Sequence, residues 1–136
     1  MRKILLLLFV PTCINVHAQT KRDNTIAIPG NISVSKIKMV LFSKGYVMEE
    51  NSDTLFFKTQ PKALSSYVAV KILVAKTDSA VFIKGLWKET MIYRKTAYIT
   101  QNEYAMLEYR HSNKEGWKEM DNIAKQLSNH IKYIRQ

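Results

Sequence analysis

Apolar residues fall into short blocks whose spacing changes from helical to strand-like and back again. Val34, Ile37, Val40 and Leu41 recur at helical spacing. Ser33 precedes them as a natural N-cap, Ile32 and Ile37 are placed to form a hydrophobic staple, and Gly45 suits left-handed backbone. The pattern predicts a helix over residues 33–44. Tyr46 to Glu49 and Thr54 to Lys58 then flank the polar run Glu50-Asn51-Ser52-Asp53, which is a hairpin signature. Closing Glu49 on Thr54 would pair Met48 with Leu55 and Val47 with Phe56. Pro61 should end the second strand, because it cannot donate to a ladder.

A second, longer hairpin follows. Tyr67 to Ala75 and Ala80 to Lys88 flank the turn Lys76-Thr77-Asp78-Ser79. With Ala75 facing Ala80, one face carries Val68 opposite Trp87, Val70 opposite Gly85, Ile72 opposite Ile83 and Val74 opposite Val81. Slipping by one residue would turn that apolar set to solvent. The same register puts Lys71 opposite Lys84 on the other face, flanked by Tyr67 opposite Lys88 and Ala69 opposite Leu86. Like charges facing each other across a ladder cost roughly a few tenths of a kcal/mol. A repelling lysine pair beside an aromatic is a candidate seat for an anion or an acidic partner. The plainer alternative is two lysines splayed into solvent.

Residues 89–111 are mixed. Met91-Ile92-Tyr93 can extend the sheet, and Tyr104 to Tyr109 reads as a strand or an irregular lid. Tyr93, Tyr98, Tyr104 and Tyr109 crowd here with Arg94, Lys95 and Arg110, a composition typical of interaction surfaces. It is also what an ordinary edge strand contains. Ser112 and Glu115 form a capping-box pattern, after which Trp117, Met120, Ile123, Ala124 and Leu127 keep helical spacing. Ser128-Asn129 reads as the stop, and His130 to Ile134 as a returning edge strand. Together these elements predict an α+β two-layer sandwich. It has an antiparallel sheet of about four strands, with an N-terminal and a C-terminal helix on one face.

The capped helix ending in Gly45-Tyr46, the hairpin ending near Thr59-Gln60-Pro61, the long apolar hairpin and the helix with Trp117, Met120 and Ala124 form a layout. Over residues 31–134 it resembles small exported bacterial helix-grip domains of the BamC-type lipoprotein kind. That resemblance implies a non-enzymatic interaction or scaffold module. It carries no functional residue with it.

The N-terminus changes where such a module would work. Arg2-Lys3, the apolar run Ile4 to Val10, and Val16-His17-Ala18 before Gln19 have the order of a signal peptide. A membrane anchor needs about 20 apolar residues, which this segment lacks. The organisation expected is a signal peptide at 1–18, a polar leader at 19–30 ending in Pro29-Gly30, and one domain at 31–136. Cleavage after Ala18 leaves a periplasmic or secreted protein without cysteine or transmembrane helix. Lipidation of Cys13, the only cysteine, would instead tether it to the outer membrane; Val10-Pro11-Thr12 before it departs from a lipoprotein signal.

Losing Arg2 and Lys3 takes the formal charge from +10 to +8. In an exported protein that excess points away from nucleic acid. It points towards another envelope protein or an anionic envelope lipid or polysaccharide. The spread of lysines along the chain equally serves solubility. His111 and His130 are too far apart, and cysteine too scarce, for a zinc site. No nucleophile–base pair, catalytic carboxylate pair or glycine-rich phosphate loop stands out, and Glu115 and Glu119 beside Lys114 and Lys118 read as a solvated helix side. The expectation is no enzyme, no cofactor and no catalytic or metal residue, a hydrolase with an unrecognised site being the remote alternative. The candidate partner-binding residues are Tyr67, Lys71, Lys84, Lys88, Tyr93, Arg94, Tyr104, Tyr109 and Arg110.

Overall fold

The computed structural model describes residues 19–20, 22–50, 55–65, 68–89, 103–109 and 114–136. Its longest strand pair is β4 (Val68–Lys76) and β5 (Ala80–Glu89). Thr77 N donates to Ala80 O at 2.8 Å, and Thr77 Oγ1 accepts from Ala80 N at 3.0 Å. The turn therefore closes on Asp78-Ser79 alone rather than on four residues. Val70 faces Trp87, Ile72 faces Gly85 and Val74 faces Ile83. The expected register is thus corrected by two residues, a step that moves every partner yet keeps every face. The Lys71–Lys84 opposition does not form: Lys71 faces Leu86, Lys84 faces Leu73, and Lys88 faces Ala69.

The stretch expected as a polar leader contains a strand. β1 (Thr25–Pro29) lies between β5 and β7 (Lys132–Ile134), with Ile26 against Ile83 and Ile28 against Val81. Thr25-Ile26-Ala27-Ile28 alternates, and both isoleucines are completely buried. Pro29 is tolerated because it ends the strand. Gly30, at φ +107°, donates from its N to Ser79 O at 2.8 Å.

On the other side of β4 lie β2 (Phe56–Lys58) and β3 (Lys62–Ala63). Met48 bridges Thr59, while Glu49 N donates to Lys58 O at 2.9 Å and Gln60 N to Val47 O at 2.7 Å. These contacts replace the expected Met48–Leu55 and Val47–Phe56 pairs, since the connection is longer than a four-residue turn. β6 (Ala105–Met106) pairs with Trp87 and Leu86 of β5. Among the described residues the sheet has seven strands rather than about four, in the order β2-β4-β5-β1-β7, with β3 on β4 and β6 on β5.

Two helices complete the α+β fold of the described residues. α1 (Val34–Ser43) is capped by Ser33, whose Oγ accepts from Lys36 N at 3.2 Å. It ends in a Schellman motif: Tyr46 N donates to Leu41 O and Gly45 N to Phe42 O, with Gly45 at φ +79°. α2 (Lys114–Leu127) buries Trp117, Met120, Ile123, Ala124 and Leu127, as its spacing predicted. Ser112 of the expected capping box lies outside the described residues, as do residues 1–18 with Cys13. The inner sheet residues and the buried residues of both helices form one core, with Trp87 and Tyr133 packed at its margin.

Leu107 joins the layers. Its N donates to Gly85 O at 2.8 Å, and its side chain is fully buried. A Cβ on Gly85 would approach Leu107 Cβ to 3.2 Å, and one on Gly116 would overlap Leu107 Cδ1. Leu107 thus fills the space that two missing side chains leave on strand and helix. Alanine normally favours a helix over glycine by about 1 kcal/mol. At position 116 overpacking, typically ~1–3 kcal/mol, should outweigh that gain. Gly116→Ala is expected to lower stability by about 1–2 kcal/mol in urea unfolding; an unchanged or raised midpoint would contradict the packing.

Candidate interaction surface

The sheet has an inner face that supplies the core and an outer face composed of the alternate residues. By register, Lys58, Leu73, Lys84, Thr25 and Ile134 form one row across that outer face. Phe56, Ala75, Phe82, Ala27 and Lys132 form the next. Lys71, Leu86 and Met106 form a third, and Ala63, Ala69 and Lys88 a fourth. Among the described residues, every charged strand residue on this face is a lysine. Leu73, Phe82, Lys84 and Leu86 are half-buried, whereas Phe56, Lys58, Met106 and Lys132 are exposed.

Tyr104 ties two of the expected residues together. Its ring centroid lies 5.4 Å from Lys71 Nζ and 5.9 Å from Lys88 Nζ. Such cation–π contacts are worth roughly 0.5–1 kcal/mol at exposed sites. Lys71 also bonds Glu49 Oε1 at 2.8 Å. Among the described residues, Lys84 and Lys132 form no ion pair. The structure therefore gathers Lys71, Lys84, Lys88 and Tyr104 on one face. Tyr109 is placed elsewhere, its ring 5.6 Å from Trp117 on the core side. Tyr67, Tyr93, Arg94 and Arg110 lie outside the described residues.

Sequence reasoning missed Lys58, Lys132 and Phe56 as members of this surface. The alternation within each strand was readable, but the order β2-β4-β5-β1-β7 that sets the strands side by side was not. Glu119 also departs from its expected solvated role. It bonds Lys62 Nζ at 3.0 Å, and the same ammonium donates to Lys44 O and lies 4.8 Å from the Tyr46 ring centroid. Asp121 likewise leaves solvent, accepting from Tyr133 Oη at 2.7 Å and from Lys125 Nζ at 2.6 Å. These two clusters bind α2 to the strands and fix the sheet's frame. A cleft of about 310 Å³ beside α2 is lined by Leu64, Ser65, Glu115, Lys118, Glu119 and Asn122.

Among the described residues no group of His, Cys, Asp and Glu could hold a metal ion, and no helix is long and apolar enough to cross a membrane. No family model matches the chain, and no curated protein or solved structure does either.

Two titrations report on these contacts. The Lys71 hydrogen bond, helped by the charges of Lys71 and Lys58, holds the Glu49 carboxyl below its ordinary range. A depressed carboxyl favours the fold above its unfolded pKa, and that contribution fades as pH falls through the folded value. In a carboxyl NMR titration, Lys71→Met should raise the Glu49 pKa towards the ordinary range; an unmoved value would mean the contact does not persist in solution. Burial and the neighbouring Glu119 carboxylate push the Tyr46 phenol up, and among the described residues its buried hydroxyl meets no partner at good hydrogen-bond geometry. A raised phenol favours the fold below the ordinary tyrosine value, about 10, and loses that contribution as pH rises further. Tyr46→Phe should therefore match wild type or exceed it by up to ~1 kcal/mol at neutral pH. It should also unfold less readily in alkali, as followed by circular dichroism; a loss at neutral pH would mean that the hydroxyl is bonded after all.

Proposed function

We propose that this chain is an exported, non-enzymatic interaction module of the cell envelope. It takes an acidic partner protein on the lysine face of its sheet, and both helices stack on the opposite face. The observation that carries this reading is the sign of that face: Lys58, Lys71, Lys84, Lys88 and Lys132 project from four strands to the same side. Single exposed ion pairs contribute only about 0–1 kcal/mol each, so the effect must come from several acting together. Half-buried Leu73, Phe82 and Leu86 between the lysines add apolar area, which favours a packed protein over a hydrated polysaccharide. Export rests on the order of Arg2-Lys3, the apolar run and Ala18, and it gives the lysines envelope partners rather than nucleic acid.

Polyglutamate serves as a generic acidic partner for the test. Lys84→Glu combined with Lys132→Glu should weaken its binding about tenfold, equivalent to ~1.4 kcal/mol. Lys114→Glu with Lys118→Glu changes the net charge equally on the exposed side of α2 and should leave affinity nearly unchanged. Equal losses from both pairs would reduce the effect to net charge and overturn the assignment of the sheet face.

A further inference from the structure

A second surface lies on α1. This helix buries Ile37, Val40 and Leu41, which satisfies its share of the core. Its other side carries Met39 at 65 % exposure and Phe42 at 78 %. Residues three apart on a helix are neighbours, so these two make one protruding apolar stripe. A scattered exposed apolar residue is ordinary, but a paired Met and Phe held this far out of the core is not needed for folding.

The charged residues that flank that stripe in the sequence are of one sign. From Asn24 to Met48 the sequence contains Lys36, Lys38 and Lys44 and no aspartate or glutamate. Lys36 is committed to Leu127 O at 3.0 Å. Lys38 is exposed beside Met39, and Lys44 caps the helix two residues after Phe42. A helix C-terminus ordinarily presents partial negative charge. Here the ammonium of Lys62, itself paired with Glu119, donates to Lys44 O and so satisfies the end of the helix nearest Phe42. Apolar side chains that protrude among cations match the boundary between anionic headgroups and acyl chains. An acidic protein groove would meet the lysines but has no comparable need for so prominent a phenylalanine.

We propose that the solvent side of α1 seats the protein on an anionic lipid surface. Phe42 and Met39 enter the boundary between headgroups and acyl chains, and Lys38 and Lys44 meet the headgroups. This site is independent of the lysine face of the sheet, so either can fail without the other.

The test places a reporter at the contact in the full chain, because residues 1–18 carry their own apolar run and binding alone would not locate the site. Phe42→Trp is mixed with phosphatidylglycerol vesicles whose acyl chains are brominated. The expected result is a blue shift and strong quenching at position 42, beyond any change in the emission of Trp87 and Trp117 in wild type. In that background, Lys38→Ala with Lys44→Ala should weaken the titration about tenfold, and phosphatidylcholine vesicles should give little quenching. The Lys84→Glu, Lys132→Glu pair should leave the quenching intact. Emission from position 42 that ignores the anionic vesicles overturns the proposal, as does equal quenching by neutral ones. Co-sedimentation gives the second measure: Met39→Ser with Phe42→Ser removes only exposed side chains, and binding equal to wild type would also overturn it.

Discussion

The insertion of Leu107 between two glycines is the contact on which the layering depends. Strand β5 and helix α2 can approach this closely because Gly85 and Gly116 each lack a side chain at the point of contact. Leu107 occupies the shared space and is itself held to the strand through Gly85 O. The short strand β6 immediately before it is thereby set against Leu86 and Trp87. Tyr104, two residues before Met106, then lies over Lys71 and Lys88 on the outer face. A packing event inside the core thus fixes an aromatic group on the surface.

The sheet's breadth has a different origin. β1 lies between β5 and β7, so residues near opposite ends of the sequence become neighbours. Asn24 donates from Nδ2 to Gln136 O at 2.8 Å and accepts from Gln136 N at 3.0 Å, extending the β1–β7 pairing by side-chain hydrogen bonds. Asp121 and Tyr133 fasten β7 to α2. Without this closure Lys132 would have no fixed relation to Lys84, and the basic residues would be scattered rather than gathered. The charge pattern of the outer face is therefore a product of long-range topology, although each lysine was visible in its own strand.

Local chemistry explains which features could be read from the chain. Ser33 and Gly45 mark α1 because a cap hydroxyl and a left-handed terminus act over only a few residues. The apolar face of the long hairpin survives a register error of two because alternation has period two. The partners themselves could not be read, since Thr77 closes a two-residue turn that composition does not separate from a four-residue one. β1 was concealed differently. Its four alternating residues stand among Asn24, Pro29 and Gly30, which are turn formers when taken locally. Only pairing on both sides, to β5 and β7, makes a strand of them. The ion pair of Lys62 with Glu119 likewise joins β3 to α2, a contact no spacing rule anticipates.

Stability requirements account for the inner face of the sheet and the inner sides of both helices, and they stop there. Phe42 and Met39 lie beyond the core that Ile37, Val40 and Leu41 complete, and the exposed Lys58 and Lys132 of the outer face contribute little to folding. The two surfaces differ in physical character. The sheet face is broad, with charge interspersed among half-buried apolar residues, which suits matching against another structured surface. The α1 stripe is narrow and protruding, which suits a deformable medium that can close around it. Both are bordered by cations, so raising ionic strength should weaken both, and salt alone cannot tell them apart. The apolar component can. Removing Phe42 would act on the proposed contact with lipid, whereas reversing Lys84 would act on the proposed complementarity with an acidic face, and neither change touches the Leu107 contact that holds the layers together.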